Sequence, residues 1–276
     1  MNKETAVLIG TGSIGLAIVR RAGVGRTILL ADYNETTMTT VAEQLRNEGY
    51  DVATQVTDVS DRAAVAALAD AAAAMGPVTR VVHAAGVSPV QATTQRVLEV
   101  DLLGTALVLE EFGRVIASGG SGVVISSMAG HMGDGFPHEV ERAWAFTPAS
   151  DLLALASLAP AAAGTSRDAY ILAKRANTVR VQAAAVTWGE RGARVNSISP
   201  GIISTPLAQE EMAGPDGDGY RHMIATSAAG RIGTPTDVAE AGALLLGPEG
   251  GFITGADLLI DGGVIAAMRA EEARQS

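Results

Sequence analysis

The chain has 276 residues, of which 47% are apolar and only 18% are charged, with 20 basic against 30 acidic side chains. This composition excludes a disordered chain, and the net charge of −10 leaves no broad basic face for nucleic acid or for an anionic membrane. Because the chain has no cysteine, it has no disulfide framework, zinc ribbon or thiolate nucleophile, and it suits the cytoplasm.

Short β-rich runs alternate with longer Ala-rich runs along the whole chain. We predict strands near Ala6–Ile9, Thr27–Ala31, Asp51–Gln55, Arg80–His83, Val123–Ser126, Arg194–Ile198 and Leu258–Ile260. We predict helices near Ile14–Ala22, Glu35–Asn47, Arg62–Met75, Thr94–Ser118, Ala169–Glu190 and Thr236–Leu246. The alternation predicts a single α/β domain over residues 1–276, a Rossmann-type doubly wound parallel sheet flanked by helices on both faces. No segment has the pattern of a signal peptide or of a membrane span.

Two regions interrupt this alternation. The first lies at about 129–168, where Ser150-Asp151 would cap a short helix, Leu152–Ala159, that Pro160 stops. The second is a loop at about 202–230. Both follow predicted strands, so we expect both at the edge formed by the carboxyl ends of the strands, where ligands bind.

A glycine-rich run follows the first strand and begins the first helix. Its residues are Gly10, Thr11, Gly12, Ser13, Ile14 and Gly15, the pattern G-x-G-x-x-G in the context that a dinucleotide requires. The glycines permit a tight turn and a close approach of a pyrophosphate, and the helix N-terminus supplies unpaired N–H groups. A plain glycine-rich turn is the alternative.

An acidic residue at the end of the second strand strengthens the dinucleotide hypothesis. Asp32 follows Gly12 by 20 residues, the place of the carboxylate that binds the adenosine ribose diol. Because a carboxylate repels a 2′-phosphate and no basic residue follows Asp32, we expect NAD(H) to be preferred over NADP(H). Asp58 and Val59, after the third strand, would contact the adenine, although Asp58 would also serve as the cap of the next helix.

Tyr170 and Lys174 are separated by four residues, which places both on one face of a helix. An ammonium group beside a phenol stabilises the phenolate, so we expect a lowered pKa for Tyr170 and a role in proton transfer. Upstream, Ser126 and Ser127 end a predicted strand.

These residues and several other motifs, taken in order, resemble the classical short-chain dehydrogenase/reductase family over nearly the whole chain. The further motifs are Ala85-Gly86, Pro200-Gly201-Ile202-Ile203-Ser204-Thr205, Gly230-Arg231-Ile232-Gly233 and Asp261-Gly262-Gly263. The resemblance implies that Tyr170 is the general acid or base, Lys174 its partner and Ser127 the residue that binds the substrate oxygen. It also implies that Ala85, Gly86, Pro200, Gly201, Ile203 and Thr205 bind the cofactor together with Tyr170 and Lys174.

The sequence departs from this family in four places. The glycine run is one residue shorter, His83 stands where the family has an asparagine, and Asp101 takes the position of the catalytic asparagine. A charged Asp101 would raise the pKa of Lys174 and offset its effect on Tyr170. Tyr170 follows Ser127 by 43 residues, a longer separation that resembles the insertion of bacterial 3α-hydroxysteroid dehydrogenases. Phe136, Trp144 and Phe146 lie in this insert, so we expect the insert to influence the choice of substrate, a cover or subunit contact being the alternative.

We therefore expect an NAD(H)-dependent oxidoreductase that interconverts a secondary alcohol and a ketone, with no metal. The alternatives are a 3α-hydroxysteroid or other bulky-alcohol dehydrogenase and a non-catalytic dinucleotide-binding regulatory protein. The resemblance implies a homo-oligomer, a dimer or tetramer, that pairs the two long helices Thr94–Ser118 and Ala169–Glu190. Apart from other copies of the chain, we expect only a small-molecule partner.

Overall fold

The structure is a computed structural model that describes residues 3–133, 135–214 and 217–275. It contains one parallel sheet of seven strands in the order β3-β2-β1-β4-β5-β6-β7. The strands are β1 Thr5–Ile9, β2 Thr27–Asp32, β3 Asp51–Val56, β4 Val78–His83, β5 Ile116–Ile125, β6 Arg194–Pro200 and β7 Asp257–Ile260. The predicted doubly wound fold is confirmed, and the strand order reverses between β1 and β4, where ligands of such sheets bind.

Thirteen helices connect or follow these strands in the described part of the chain. They are α1 Ser13–Ala22, α2 Glu35–Asn47, α3 Arg62–Met75, α4 Thr94–Val97, α5 Gly104–Val115, α6 His138–Phe146, α7 Ala149–Leu152, α8 Pro160–Ala163, α9 Ser166–Glu190, α10 Pro206–Ala213, α11 Gly217–Thr226, α12 Pro235–Leu246 and α13 Val264–Gln275. No helix in the described ranges has the length and apolar character that a bilayer crossing requires.

Most of the core consists of two apolar layers, one on each face of the sheet, and a smaller cluster of Met128, Ile202, Val264 and Ile265 lies beside them. Along β1, Val7 and Ile9 face the layer under α3, α5 and α9, whereas Leu8 faces the layer under α1, α2 and α12. This is the period-two alternation of a strand that is buried on both faces. The sheet therefore holds the carboxyl ends of its strands rigidly along one edge.

The predicted helix Thr94–Ser118 is divided into three parts. After α4, residues Leu98–Leu103 form a π-helical segment, α5 follows it, and the chain enters β5 at Ile116. A π-helical turn widens the helix and displaces backbone carbonyls from their usual partners, and such turns occur frequently at functional sites. Asp101 lies within this segment.

The insert is built from short helices that pack against α9. The predicted helix Leu152–Ala159 is wrong: α7 and a 3-10 turn, Ala156–Leu158, occupy this stretch, and Pro160 begins α8 instead of ending a helix. Proline suits the first position of a helix because its φ is already helical and its missing N–H would have no partner there.

Trp144 anchors the insert. Its side chain is fully buried, its Nε1 donates to Ser157 Oγ at 3.0 Å, and Phe136 packs edge-on at 4.7 Å between ring centroids. The guanidinium of Arg180, buried on α9, donates to the carbonyl oxygens of Trp144 and Thr147 at 2.6 and 2.9 Å. These contacts cover the outer side of α9 with residues of the same chain.

This arrangement bears on the expected pairing of long helices between subunits. Between Leu172 and Val181, every residue of α9 except Arg175 is buried within the single chain. Glu110 of α5 accepts the Ala149 N–H at 2.8 Å, so the insert also contacts the second helix of the pair. The insert thus covers part of the two helices that the resemblance pairs between subunits, and the oligomeric state remains a prediction.

Candidate active site

The helix α9 carries Tyr170 and Lys174 on one face, as predicted. A capping box in which Thr165 and Asp168 exchange side-chain and backbone hydrogen bonds fixes its first turn. The Lys174 Nζ lies 5.1 Å from the centroid of the Tyr170 ring. A rigid helix start therefore positions the phenol relative to the ammonium group.

The two serines at the end of β5 have different roles. Ser126 is buried, and its hydroxyl donates to the Lys174 carbonyl oxygen at 2.7 Å, which ties β5 to α9. Ser127 begins the 3-10 turn Met128–His131, and its Oγ accepts the Ala129 N–H at 3.1 Å. The turn lies close to α9, because a Cβ on Gly130 would be 2.8 Å from the Arg175 nitrogen. Ser127 is thereby held beside Tyr170.

Asp101 lies beneath Lys174. Its Oδ1 is 2.9 Å from Lys174 Nζ, and both side chains are almost completely removed from solvent. The Val87 N–H donates to the other carboxylate oxygen at 3.2 Å. A Cβ on Gly86 would be only 2.6 Å from Asp101 Oδ1, so the predicted Ala85-Gly86 turn makes room for this ion pair.

Four neighbours set the pKa of Tyr170. Burial raises the pKa, Lys174 lowers it, Asp101 raises it, a hydrogen bond with Ser127 lowers it and Glu211 raises it, in that order of size. The net direction is upward, so the expectation of a lowered pKa is wrong for the protein alone. Lys174 does act as expected, but burial of the phenol and the two carboxylates outweigh it.

Lys174 and Asp101 change each other's pKa. Burial lowers the pKa of Lys174, but the charge of Asp101, the charge of Tyr170 and the hydrogen bond to Asp101 together outweigh it, and the net direction is upward, as the sequence predicted. Burial raises the pKa of Asp101, against the opposing effects of Lys174 and the Val87 N–H. The charges of Asp101 and Lys174 have opposite signs. The effect of the Lys174 charge on the pKa of Tyr170 is therefore partly cancelled by Asp101.

The carbonyl of Asp101, displaced by the π-helical segment, has two side-chain donors. Thr105 Oγ1 and Asn177 Nδ2 each donate to it at 2.8 Å. His83 Nε2 lies 3.0 Å from Thr105 Oγ1, and burial lowers the His83 pKa to about 3, so its imidazole is neutral. Because the Thr105 proton is committed to Asp101, we assign the proton of His83 to Nε2. His83 thus connects β4 to the segment that carries Asp101.

The glycine-rich turn after β1 has the geometry that a pyrophosphate requires. Gly10 adopts a φ of +87°, and a Cβ on it would be 2.4 Å from the Ala85 nitrogen, while a Cβ on Gly15 would collide with Leu8. A Cβ on the exposed Gly12 meets no atom within 4 Å and would fill the space above the N-terminus of α1. Ser13 and Ile14 form the first turn of α1, which has no side-chain cap and no acidic residue. The residues present therefore fit a dinucleotide phosphate.

Asp32, Asp58 and Val59 lie farther along the same sheet edge, at the ends of β2 and β3. Asp32 Oδ2 accepts the N–H and the hydroxyl of Thr11, both at 2.7 Å, so it also holds the glycine-rich turn. Asp58 accepts from Ser60 and pairs with Arg96, whereas the cap of α3 is Asp61. Val59 is buried. The proposal that Asp58 caps this helix is therefore wrong.

A cavity of about 540 Å³ opens beside Tyr170, a size typical of small-molecule sites. Predicted residues in its wall are Ile14, Gly86, Asp101, Ser127, Tyr170, Pro200, Gly201, Ile203 and Thr205. The loop after β6 and its helices α10 and α11 contribute Leu207, Glu211, Tyr220 and Met223. No described residue from 133 to 165 lines the cavity. The expected effect of the insert aromatics on substrate choice therefore has no basis in direct contact, because they pack against α9.

Sequence reasoning did not identify several residues of this site. Glu211 lines the cavity and accepts the Ser88 hydroxyl at 2.6 Å, although the two residues are 123 positions apart. Thr105, Asn177 and Tyr220 were likewise not identified. The spacing of Asn177 three residues after Lys174 was the one local signal. No group of three or more potential metal ligands occurs in the described ranges.

Comparison with known proteins agrees with this geometry. The family model described as short chain dehydrogenase matches residues 4–138, and the model described as enoyl-(acyl carrier protein) reductase matches residues 136–265. The short-chain dehydrogenase/reductase bsc3 of Alternaria brassicicola is 39% identical over 96% of this chain and 97% of its own. The chain belongs to the short-chain dehydrogenase/reductase family. This family binds nicotinamide dinucleotides, and its members include dehydrogenases of small molecules.

Two further relatives extend the comparison. The cis-4-hydroxycyclohexanecarboxylate dehydrogenase of Sinomonas cyclohexanicum is 31% identical over 96% of this chain and 97% of its own. The solved short-chain dehydrogenase/reductase of Serratia marcescens superposes with a TM-score of 0.74 at 24% identity, over 96% of this chain and 98% of that one. The first supports an oxidoreductase, and the second supports the fold.

Proposed function

We propose that the protein is an NAD(H)-dependent oxidoreductase that interconverts a secondary alcohol and a ketone. The observation that carries the proposal is the position of Ser127 and Tyr170 in the wall of one cavity, with Lys174 behind Tyr170. The Tyr170 oxygen has Ser127 as a hydrogen-bond partner and the Lys174 ammonium beneath its ring. This arrangement supports a role for the two hydroxyl groups as donors to a carbonyl oxygen that gains negative charge.

The chain's own residues account for binding and proton transfer. Tyr170 would give a proton to the carbonyl oxygen during reduction and remove it from the hydroxyl during oxidation, while Ser127 holds that oxygen in place. Lys174 stabilises the phenolate form of Tyr170. The nicotinamide supplies or accepts the hydride when it is bound. Pro200, Gly201, Ile203 and Thr205 line the cavity at the end of β6 and would hold its amide.

Asp32 supports a preference for NAD(H). Its Oδ1 accepts the Asn34 N–H at 2.9 Å and Oδ2 accepts twice from Thr11, so the carboxylate is fixed at the end of β2. Of roughly four acceptor sites on a carboxylate, about one remains for a ribose hydroxyl. A fixed negative charge would repel the 2′-phosphate of NADP(H). Replacing Asp32 with serine is expected to reduce the preference at least about tenfold.

The proposal is tested by turnover of a panel of secondary alcohols and ketones, steroids included, with NAD(H) and NADP(H). We expect oxidation or reduction of at least one alicyclic pair, abolished by Tyr170→Phe. Tyr50→Phe is the matched control, because the Tyr50 hydroxyl donates to the Arg20 carbonyl, away from the cavity. Cofactor binding without any turnover across the panel would instead support the regulatory alternative.

The bulky-alcohol alternative rests on the apolar part of the wall, where Met128, Met132, Ile202 and Met223 line the cavity. The aromatic residues of the insert give it no support, since they lie outside the wall, and of the insert only its two ends, such as Met132, reach the cavity. An enoyl reductase is not favoured, because that branch usually separates its tyrosine and lysine by more than the four residues found here.

A further inference from the structure

One carboxylate in the cavity wall has no part in the chemistry proposed above. Glu211 of α10 accepts the Ser88 hydroxyl at 2.6 Å, and Ser88 is itself buried. A hydrogen bond also joins Glu211 to Tyr220 of α11, which lines the same cavity. Two neutral hydroxyl groups from different parts of the chain therefore fix this carboxylate in the wall.

The negative charge of Glu211 acts on Tyr170, the proposed proton donor. It raises the pKa of Tyr170 and, after burial of the phenol, it is the largest cause of the raised pKa of Tyr220. Arg167 also lines the cavity, but its opposing effect on Tyr220 is the smallest of those acting there. The substrate end of the cavity thus has a carboxylate close enough to influence the catalytic phenol.

A carboxylate offers about four acceptor sites and no donor. Ser88 and Tyr220 use two of them, which leaves acceptor capacity directed at a substrate. A substrate hydroxyl is the matching donor, whereas a substrate carboxylate would meet like charge in a partly buried site.

We infer that Glu211 determines specificity: it accepts a hydrogen bond from a second hydroxyl group of the substrate and excludes anionic substrates. The inference rests on the proposed function and adds the substrate class, a neutral diol or the corresponding hydroxyketone. By this inference, the substrate of this chain differs in charge from the hydroxycyclohexanecarboxylate after which one relative is named, because that compound is an anion.

The test compares three ring ketones that differ in one substituent: cyclohexanone, 4-hydroxycyclohexanone and 4-oxocyclohexanecarboxylate. For the unaltered enzyme we expect kcat/KM to be about tenfold higher for the hydroxyketone than for cyclohexanone, and lowest for the carboxylate. In Glu211→Gln the hydroxyketone preference should fall toward unity and kcat/KM for the carboxylate should rise about tenfold. Repeating the comparison with 2-hydroxycyclohexanone in place of 4-hydroxycyclohexanone tests a second hydroxyl group on the carbon next to the carbonyl.

Glu210→Gln is the matched control. Glu210 is adjacent in sequence and bonds to Gln91, but it does not line the cavity, so this variant should keep the preferences of the unaltered enzyme. An equal change of kcat/KM for all three ketones in Glu211→Gln would show that Glu211 only holds α10 against the Ser88 loop. That result, or the same effect in Glu210→Gln, overturns the inference.

Calorimetric binding of the three ketones to the cofactor-loaded protein separates this inference from the proposed function. If nothing is turned over but the hydroxyketone binds more tightly than the carboxylate, and Glu211→Gln removes the difference, the assignment of Glu211 stands and the proposed reaction fails. If ketones are turned over with equal preference in both forms, the reaction stands and the assignment of Glu211 fails.

Discussion

Asp101 and Lys174 form a buried ion pair, with 2.9 Å between Oδ1 and Nζ, directly below the phenol of Tyr170. The pair joins the π-helical segment to α9, and its two charges act on Tyr170 in opposite directions. The residue at position 101 therefore sets how much of the lysine charge Tyr170 experiences.

Replacing Asp101 with asparagine should move the pH dependence of the reaction to lower pH. The Asp101 charge raises the pKa of Tyr170, so its removal lets the phenolate form at lower pH. Alcohol oxidation, which needs the phenolate, should then reach its plateau earlier, and ketone reduction should decline earlier. Profiles of kcat/KM in both directions measure this shift. Asp70→Asn, an exposed residue paired with Arg114, is the control, and an unchanged or alkaline-shifted profile in Asp101→Asn contradicts the argument.

Lys174→Met should destabilise the fold as well as abolish activity. It leaves the Asp101 carboxylate buried without a cation, which costs about 3–5 kcal/mol. Burial raises the pKa of Asp101, so this carboxyl takes up a proton as pH falls, and the deficit should be largest at high pH and shrink on acidification. Urea unfolding of the two single variants and of Asp101→Asn/Lys174→Met gives the coupling energy. Additive losses would show that the two residues do not stabilise each other.

Two substitutions in the glycine-rich turn should distinguish an effect on cofactor binding from an effect on folding. Gly12→Ala places a methyl group in open space at an ordinary backbone conformation, so stability should change by no more than about 0.5 kcal/mol. Affinity for NADH should fall at least about tenfold, because the methyl group occupies the phosphate approach. Gly10→Ala should instead lose about 2 kcal/mol or more, since its φ is +87° and its Cβ meets Ala85. NADH titration and thermal unfolding measure both, and undiminished binding by Gly12→Ala contradicts the site.

Trp144→Ala should destabilise the protein without altering its substrate preference. Its ring is fully buried between the insert and α9, so truncation costs about 3–5 kcal/mol. Because no described residue from 133 to 165 lines the cavity, the ratio of kcat/KM between substrates should stay constant in the folded fraction. Phe146→Ala, at a side chain 70% exposed, is the neutral control. A changed substrate ratio would show that the part of the insert around Trp144 influences substrate choice.

Local patterns sufficed for the strands and for most of the candidate site residues that the fold brings together. The glycine run, Asp32 and the spacing of Tyr170 and Lys174 each express a constraint within one turn or one strand end, so the sequence displays them directly. The division of the helix around Asp101 was not predictable in this way, because a π-helical turn depends on distant partners such as Asn177.

The side chains that meet across the fold could not be predicted. Glu211 and Ser88 are far apart in the sequence and form their hydrogen bond only in the folded chain. The hydrogen bond of Arg180 to the Trp144 carbonyl likewise depends on the way in which the insert packs against α9. The insert looked like a substrate element because it separates two catalytic residues in sequence. Its position is decided instead by the burial of Trp144 and by the guanidinium of Arg180, neither of which has a local signature.

The insert also has a consequence for behaviour on dilution. Contacts within the chain hold the middle of α9, among them those of Arg180 and Arg175 to the segment that contains Trp144. We therefore expect this helix to keep its shape without a second molecule. Activity per molecule should therefore stay constant as the protein concentration falls, even where any assembly of subunits comes apart.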